Sequence, residues 1–335
     1  MFASACSSFG SNDASEPSGG DAGDLVDASA AEDGHAGGDA AADAGRPAPG
    51  AVVTVRKEGD ATRGVAVTAE RIYWWSVQYA HIASVSKSDL GTVRTDVDRT
   101  GQTVTAVGAD ASGIYWLEAG PDAQEGGTSD RIMKQEGGVA TVLLRTETPL
   151  RHLAVSPGFV FSTAGGALAV APKAGGGTLR SLGIDQEGLT ADATYAYYTY
   201  SGSSVYRTTP AFSGAMVISG LGAPHSLATD STNLYAVITD ASGNAIVKMD
   251  KSASSSAAAA TIVTRIAPGP TLLAVDSAGI VWGNADDGKI QRVARSGGEA
   301  TVMALGVTGV NALVADGDGV YWTTDEGVVG WAVHP

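Results

Sequence analysis

The chain has 335 residues, 17% of them charged, 45 glycines and a formal net charge of −15. An acidic surface repels phosphate backbones and no basic stripe offsets it, so nucleic-acid binding is not expected. No apolar run reaches the ~18 residues of a membrane-spanning helix. The single cysteine, Cys6, leaves the rest of the chain without a disulfide or a thiolate metal site.

Residues 1–50 form the first unit. They hold seven Asp and two Glu against Arg46 alone, a net −8 that leaves −7 on the other 285 residues. Residues 7–50 are Ser, Gly, Ala, Asp and Pro with almost nothing to bury, so ordering entropy is not offset. This stretch is expected to be a self-repelling acidic tether. At its head, Phe2-Ala3-Ser4-Ala5-Cys6 is followed by Ser7 and Ser8. Small residues ahead of a cysteine resemble the lipobox of bacterial lipoproteins. The resemblance implies export, lipidation of Cys6 and, from the following serine, an outer-membrane location facing the periplasm or cell surface. The membrane would be met only through that lipid.

From residue 51 to 335 the chain repeats. Seven variants of one strand stand at 71–75 (RIYWW), 113–117 (GIYWL), 158–162 (GFVFS), 195–199 (YAYYT), 233–237 (NLYAV), 279–283 (GIVWG) and 319–323 (GVYWT). A period near 40 residues with strand-like content marks propeller blades. Residues 272–305 show the unit: strands at 272–276, 280–283, 289–294 and 300–305, divided by polar or glycine turns. The fifth repeat carries a low-complexity insertion, Ser252 to Ala260, expected at an outer hairpin. The seventh repeat lacks its fourth strand, and AVVTVR at 51–56 supplies it from the other end of the chain. The expected fold is all-β: one seven-bladed β-propeller of four-stranded antiparallel blades, closed by an N-terminal strand.

The Tyr-Trp-Thr copies, with Ala-Val-Asp upstream, resemble the YWTD and NHL type of propeller repeat. Gly319-Val320-Tyr321-Trp322-Thr323 and Gly279-Ile280-Val281-Trp282 carry that resemblance best. It implies a propeller with a binding habit. Together with the start of the chain, it is similar to a bacterial propeller lipoprotein.

Several residue sets are candidates for chemistry. Asp110, Asp192, Asp230, Asp276 and Asp316 stand three residues before the Gly position, replaced by Thr68 and Ser156 in two repeats. Because hydroxyls substitute, these side chains are expected to accept hydrogen bonds from their own turns rather than to ring a cation. Lys87, Lys134, Lys173, Arg207, Lys248 and Arg292 recur on third strands and are expected to be solvated edge charges. Arg151, His152 and His225 fall at the starts of innermost strands, at one channel mouth, where they could bind an anion or act as acid and base. Streptogramin-lyase-like propellers are seven-bladed enzymes, but their histidine and acidic constellation has no residue-by-residue match here. Neighbouring residues on a strand face opposite ways, so one of Trp74 and Trp75 is expected to be exposed, with Trp75 the candidate contact for a partner.

No nucleotide, phosphate or metallohydrolase motif occurs, and no cofactor or metal is expected. The leading expectation is therefore a monomeric, non-catalytic binding or scaffold propeller that meets a protein, peptide or glycan. The alternative is a metal-assisted lyase or hydrolase with its site at the channel mouth.

Overall fold

The computed structural model describes residues 47–59, 61–121, 128–252, 255–256, 259–267 and 271–334. Cys6 and the tether through residue 46 lie outside the described residues.

The described chain forms seven four-stranded antiparallel blades. Blade 1 comprises Thr62–Val67, Arg71–Ser76, His81–Ser86 and Asp89–Asp98. Blade 2 comprises Thr103–Asp110, Gly113–Pro121, Thr128–Glu136 and Val139–Thr146. Blade 3 comprises Leu150–Val155, Phe159–Ala164, Ala167–Pro172 and Thr178–Ser181. Blade 4 comprises Ile184–Ala191, Ala196–Tyr200, Ser204–Thr208 and Gly214–Ser219. Blade 5 comprises Ala223–Thr229, Asn233–Asp240, Gly243–Asp250 and Thr261–Ile266. Blade 6 comprises Thr271–Val275, Ile280–Asn284, Lys289–Val293 and Thr301–Leu305. Blade 7 comprises Val310–Ala315, Gly319–Thr324 and Val328–Val333, and its fourth strand is Val52–Lys57.

The first strand of each blade packs against the first strands on either side, and blade 7 meets blade 1. The ring is therefore closed, and the seam lies inside a blade, where Val52–Lys57 pairs antiparallel with Val328–Val333. A blade interrupted in sequence but complete in hydrogen bonding leaves no free edge at the seam. The insertion of the fifth repeat falls between the third and fourth strands of blade 5, as expected. Its Ser255–Ser256 adds a short parallel strand to the outer edge of blade 4 at Ile218 and Ser219.

The core follows from a stack of blades packed on both sides. The buried apolar side chains divide into seven clusters, and each cluster lies between two adjacent blades. Alternation along a strand sends successive residues to opposite faces, but here both faces are interior. Trp74 packs in the blade 7–1 junction and Trp75 in the blade 1–2 junction beside Trp116 and Met133. The sequence expectation of an exposed Trp75 is thus corrected: Trp75 is only 3% exposed. A buried indole removes on the order of 200 Å² from water, about 5 kcal/mol gross, so Trp75 works as packing.

Candidate functional site

On one face of the ring, the turn between first and second strands repeats seven times. In five blades an Asp closes it. Asp192 Oδ1 accepts from the N–H groups of Thr194 and Tyr195 at 2.8 Å each. Asp230 does so from Thr232 and Asn233, and Asp276 from Ala278 and Gly279. Asp316 accepts from Asp318 and Gly319, and Asp110 from Ser112. Thr68 and Ser156 do the same work with hydroxyls, accepting from Arg71 and Phe159. The expected turn role is what the geometry shows. The third repeat aligns one residue later than its sequence pattern suggests, with Phe159 in the Gly position.

The free edge of each Asp has a second role that the sequence reading missed. A residue one or two positions past the third strand lies on the same face, in five blades beside the Asp of the preceding blade. Lys87 of blade 1 reaches Asp316 of blade 7 at 2.5 Å and Asp318 at 2.9 Å. Lys173 of blade 3 pairs with Asp110 of blade 2, and Lys251 of blade 5 with Asp192 of blade 4 at 2.6 Å. Arg295 of blade 6 lies 3.4 Å from Asp230 of blade 5, and His334 of blade 7 lies 2.9 Å from Asp276 of blade 6. Each pair is a clasp across a blade junction. Strand register identifies the two remaining residues at this position as Gly137 and Pro210. They face the two blades in which Thr68 and Ser156 replace Asp. Carboxylate and base are therefore present together at five junctions and absent together at two.

The third-strand bases form a second tier. Lys134 Nζ donates to the Lys173 carbonyl at 3.4 Å and Lys248 Nζ to the Arg295 carbonyl at 3.2 Å. Arg207 donates to the Lys251 carbonyl, and Arg292 Nη2 lies 2.7 Å from His334 Nδ1. The clasp lysines also sit over tyrosine rings of the preceding blade: Lys87 over Tyr321 at 5.0 Å and Lys173 over Tyr115 at 4.9 Å. The expectation of solvated edge charges is corrected by these contacts. The side chains of Lys87, Lys173 and Arg292 are 5%, 9% and 12% exposed, because a blade's third strand faces its neighbour rather than solvent.

Electrostatics follow the geometry. Burial alone would raise the Asp276 carboxyl, but His334, Arg292 and the turn N–H groups hold it below the usual range. Asp192 is likewise lowered against its burial by Lys251 and the Tyr195 and Thr194 amides. Asp230 is lowered against its burial by the Asn233 and Thr232 amides, the Tyr235 hydroxyl and Arg295. Burial pushes the Tyr115 hydroxyl up to about 12, against a hydrogen bond to Ser112.

The opposite face holds the sequence-predicted mouth residues. A register shift between Leu150 and Leu153 brackets Arg151 and His152, and another between Pro224 and Leu227 brackets His225 and Ser226. Arg151 and His225 thus occupy equivalent positions on blades 3 and 5, with the first strand of blade 4 between them. Arg151 is exposed and His225 half-buried, whereas His152 is 6% exposed, its N–H directed at Thr163 Oγ1 at 3.4 Å. The equivalent position in blade 7 is Asn311. It donates to the Thr62 carbonyl of blade 1 at 2.8 Å and accepts from Thr323 at 2.7 Å. Among the described residues, no group of three or more His, Cys, Asp or Glu is placed to hold a metal.

Two clefts open elsewhere. One of about 200 Å³ lies between blades 6 and 7, lined by Val52, Leu305, Val307, Trp322 and Glu326 among others. The other, about 470 Å³, lies beside Gly137 at the blade 1–2 junction, with Arg94, Ser112 and Gln135. Neither touches Arg151, His152 or His225.

Solved structures with this architecture are numerous. A catalytically inactive variant of virginiamycin B lyase from Staphylococcus aureus, with quinupristin, superimposes at a TM-score of 0.65 and 12% identity. The match covers 85% of this chain and 99% of that one. PorZ of Porphyromonas gingivalis, described as a bacterial surface component of the type-IX secretion system, gives 0.57 at 13% identity over 85% of this chain and 39% of that one. A gluconolactonase from Xanthomonas campestris gives 0.51 at 16% identity over 85% and 89%. At such identities the likeness is one of fold. No family model and no curated protein sequence matches the chain.

Proposed function

We propose that this protein is a non-catalytic binding or scaffold propeller of a bacterial cell-envelope lipoprotein, of the YWTD or NHL-like type, meeting a protein, peptide or glycan partner. The observation that carries this reading is the use made of the repeated charges. The turn aspartates and their bases are bonded to each other across blade junctions, so the repeated charged residues serve the frame. A closed ring on a long acidic tether suits presentation of a surface. That surface includes exposed apolar side chains on outermost strands, Val139, Ile262, Val302 and Leu305 among them. The strand added by Ser255–Ser256 to blade 4 shows an outer edge accepting strand addition. The lipobox-like context of Cys6 supports an anchor, and the likeness to a bacterial surface component is in keeping with an envelope location.

The reading is tested by capture from envelope extracts with the full chain as bait. A stoichiometric protein or glycan partner, lost when Val302 and Leu305 are replaced by Glu, is the expected result. Retention of that partner by the double variant would move the contact surface elsewhere. The anchor has its own test: the expressed protein partitions into detergent, and Cys6→Ala abolishes that partition. Unchanged partition refutes lipidation.

A second reading, a lyase or hydrolase at the mouth, is favoured by the equivalent placement of Arg151 and His225. It predicts a turnover lost in Arg151→Ala and His225→Ala with unfolding unchanged.

A further inference from the structure

The seven junctions are not equivalent. Five carry a clasp of Asp and base; the blade 1–2 and blade 3–4 junctions carry Thr68 with Gly137 and Ser156 with Pro210. The blade 1–2 junction has a substitute, in which Gln135 Nε2 donates to the Asp96 carbonyl at 2.8 Å. Its apolar cluster also holds the large side chains of Trp75 and Trp116, both buried.

At the blade 3–4 junction three features coincide. The clasp is absent. Aromatic residues such as Phe159, Tyr206 and Phe212 are only partly buried against its apolar cluster, with Arg180 of blade 3 lying over the Phe212 ring at 5.4 Å. Blade 4 also holds two of the three described non-glycine residues with positive φ, Ser201 at 52° and Phe212 at 61°. Phe212 occupies a turn where blades 2, 3 and 6 use the paired glycines at 137–138, 175–176 and 297–298. A bulky residue in the left-handed region stores strain that surrounding contacts must hold.

We infer that the ring breathes at the blade 3–4 junction: this interface opens locally while the clasped arc from blade 4 through blade 7 to blade 1 stays shut. Two adjacent blades separate without breaking their internal ladders, because a junction is held only by side chains and a few backbone contacts. The pattern of clasps thus builds a gate into a closed ring.

The test is native-state thiol labelling of the full chain carrying Cys6→Ser. Ala154 is fully buried in the blade 3–4 cluster, and Ala236 is fully buried in the clasped blade 4–5 cluster. The A154C protein is expected to react at least tenfold faster than the A236C protein under native conditions. Equal or slower reaction of A154C overturns the proposal. Adding a clasp with Ser156→Asp and Pro210→Lys should slow A154C to the A236C rate, and an unchanged rate contradicts the clasp as its cause. If that variant does not fold, the reverse experiment decides. Lys173→Met removes the blade 2–3 clasp and should speed labelling of the A169C protein, whose site is buried in that cluster. No change in rate there likewise contradicts the proposal.

Discussion

Asp276 shows how much one side chain does in this fold. Its carboxylate is fully buried, closes its own turn through Oδ1, and holds Arg292 and His334 through Oδ2 at 2.9 Å each. Removing one partner of a buried pair leaves an uncompensated charge, which typically costs about 3 kcal/mol. Asp276→Asn should therefore lower the urea unfolding free energy by about that amount, although Asn can still cap the turn. A loss under about 0.5 kcal/mol would place Asp276 among ordinary surface residues. The pH dependence has a definite sign. Asp192, Asp230 and Asp276 have folded-state pKa values below their unfolded ones. Their contribution is therefore full above the unfolded value of about 3.9 and lost as pH falls through the lower folded values. The urea midpoint should be insensitive to these groups above about pH 5 and fall steeply below about pH 4, less steeply in Asp276→Asn. Tyr115, raised to about 12, acts in the other direction and withdraws stability as pH rises above about 10.

At the scale of elements, the seam strand is the most informative. Val52–Lys57 completes blade 7, so the first described strand depends on the last one for its hydrogen bonds. Glu58, which follows it, accepts from Trp74 Nε1 of blade 1 at 3.3 Å and carries the closure into the next blade. Deleting residues 51–57 should abolish cooperative unfolding, and a cooperative transition retained near the original midpoint would argue against closure by this strand. Blade 7 also has a tight internal fit. A Cβ on Gly330 would come within 2.1 Å of the Trp322 indole, a contact that backbone and ring cannot both accommodate. Gly330→Ala should destabilise by about 1–3 kcal/mol through overpacking, measured by denaturant unfolding.

The repeat period, the strand boundaries of blade 6 and the closure of blade 7 were all legible in the sequence, because each is written locally in alternation and turn chemistry. Cross-blade relations were much less legible. Lys87 and Lys173 read as edge charges because a third strand looks half-solvated in sequence, whereas in a ring it faces the next blade. Trp75 reads as exposed because alternation sends one of two neighbouring side chains to the far face, whereas both faces of a blade are interior. Lys251, Arg295 and His334 carry a signal in the sequence: each stands one or two positions past a third strand, one repeat downstream of an Asp, and Gly137 and Pro210 replace them where the Asp is missing. The equivalence of the mouth residues Arg151 and His225 follows from strand register. Their chemistry was not legible, since it depends on groups that approach from other blades.

At the scale of the whole molecule, a low-charge chain folds into a ring whose stability is modular. Each blade contacts only its two neighbours, so stability is expected to behave as a sum of blade and junction contributions. Apolar clusters supply the bulk of every junction, and the clasps distinguish one junction from another.

The claim on which this account rests is that the repeated Asp and basic residues are coupled across junctions. A double-mutant cycle on Asp110→Asn and Lys173→Met, read by urea unfolding of the full chain, tests it directly. We predict a coupling of about 1–3 kcal/mol, with each single substitution strongly destabilising and the double variant little worse than either. Strict additivity of the two substitutions would contradict the account and return Lys173 to the solvated charge, and Asp110 to the turn acceptor alone, that the sequence suggests.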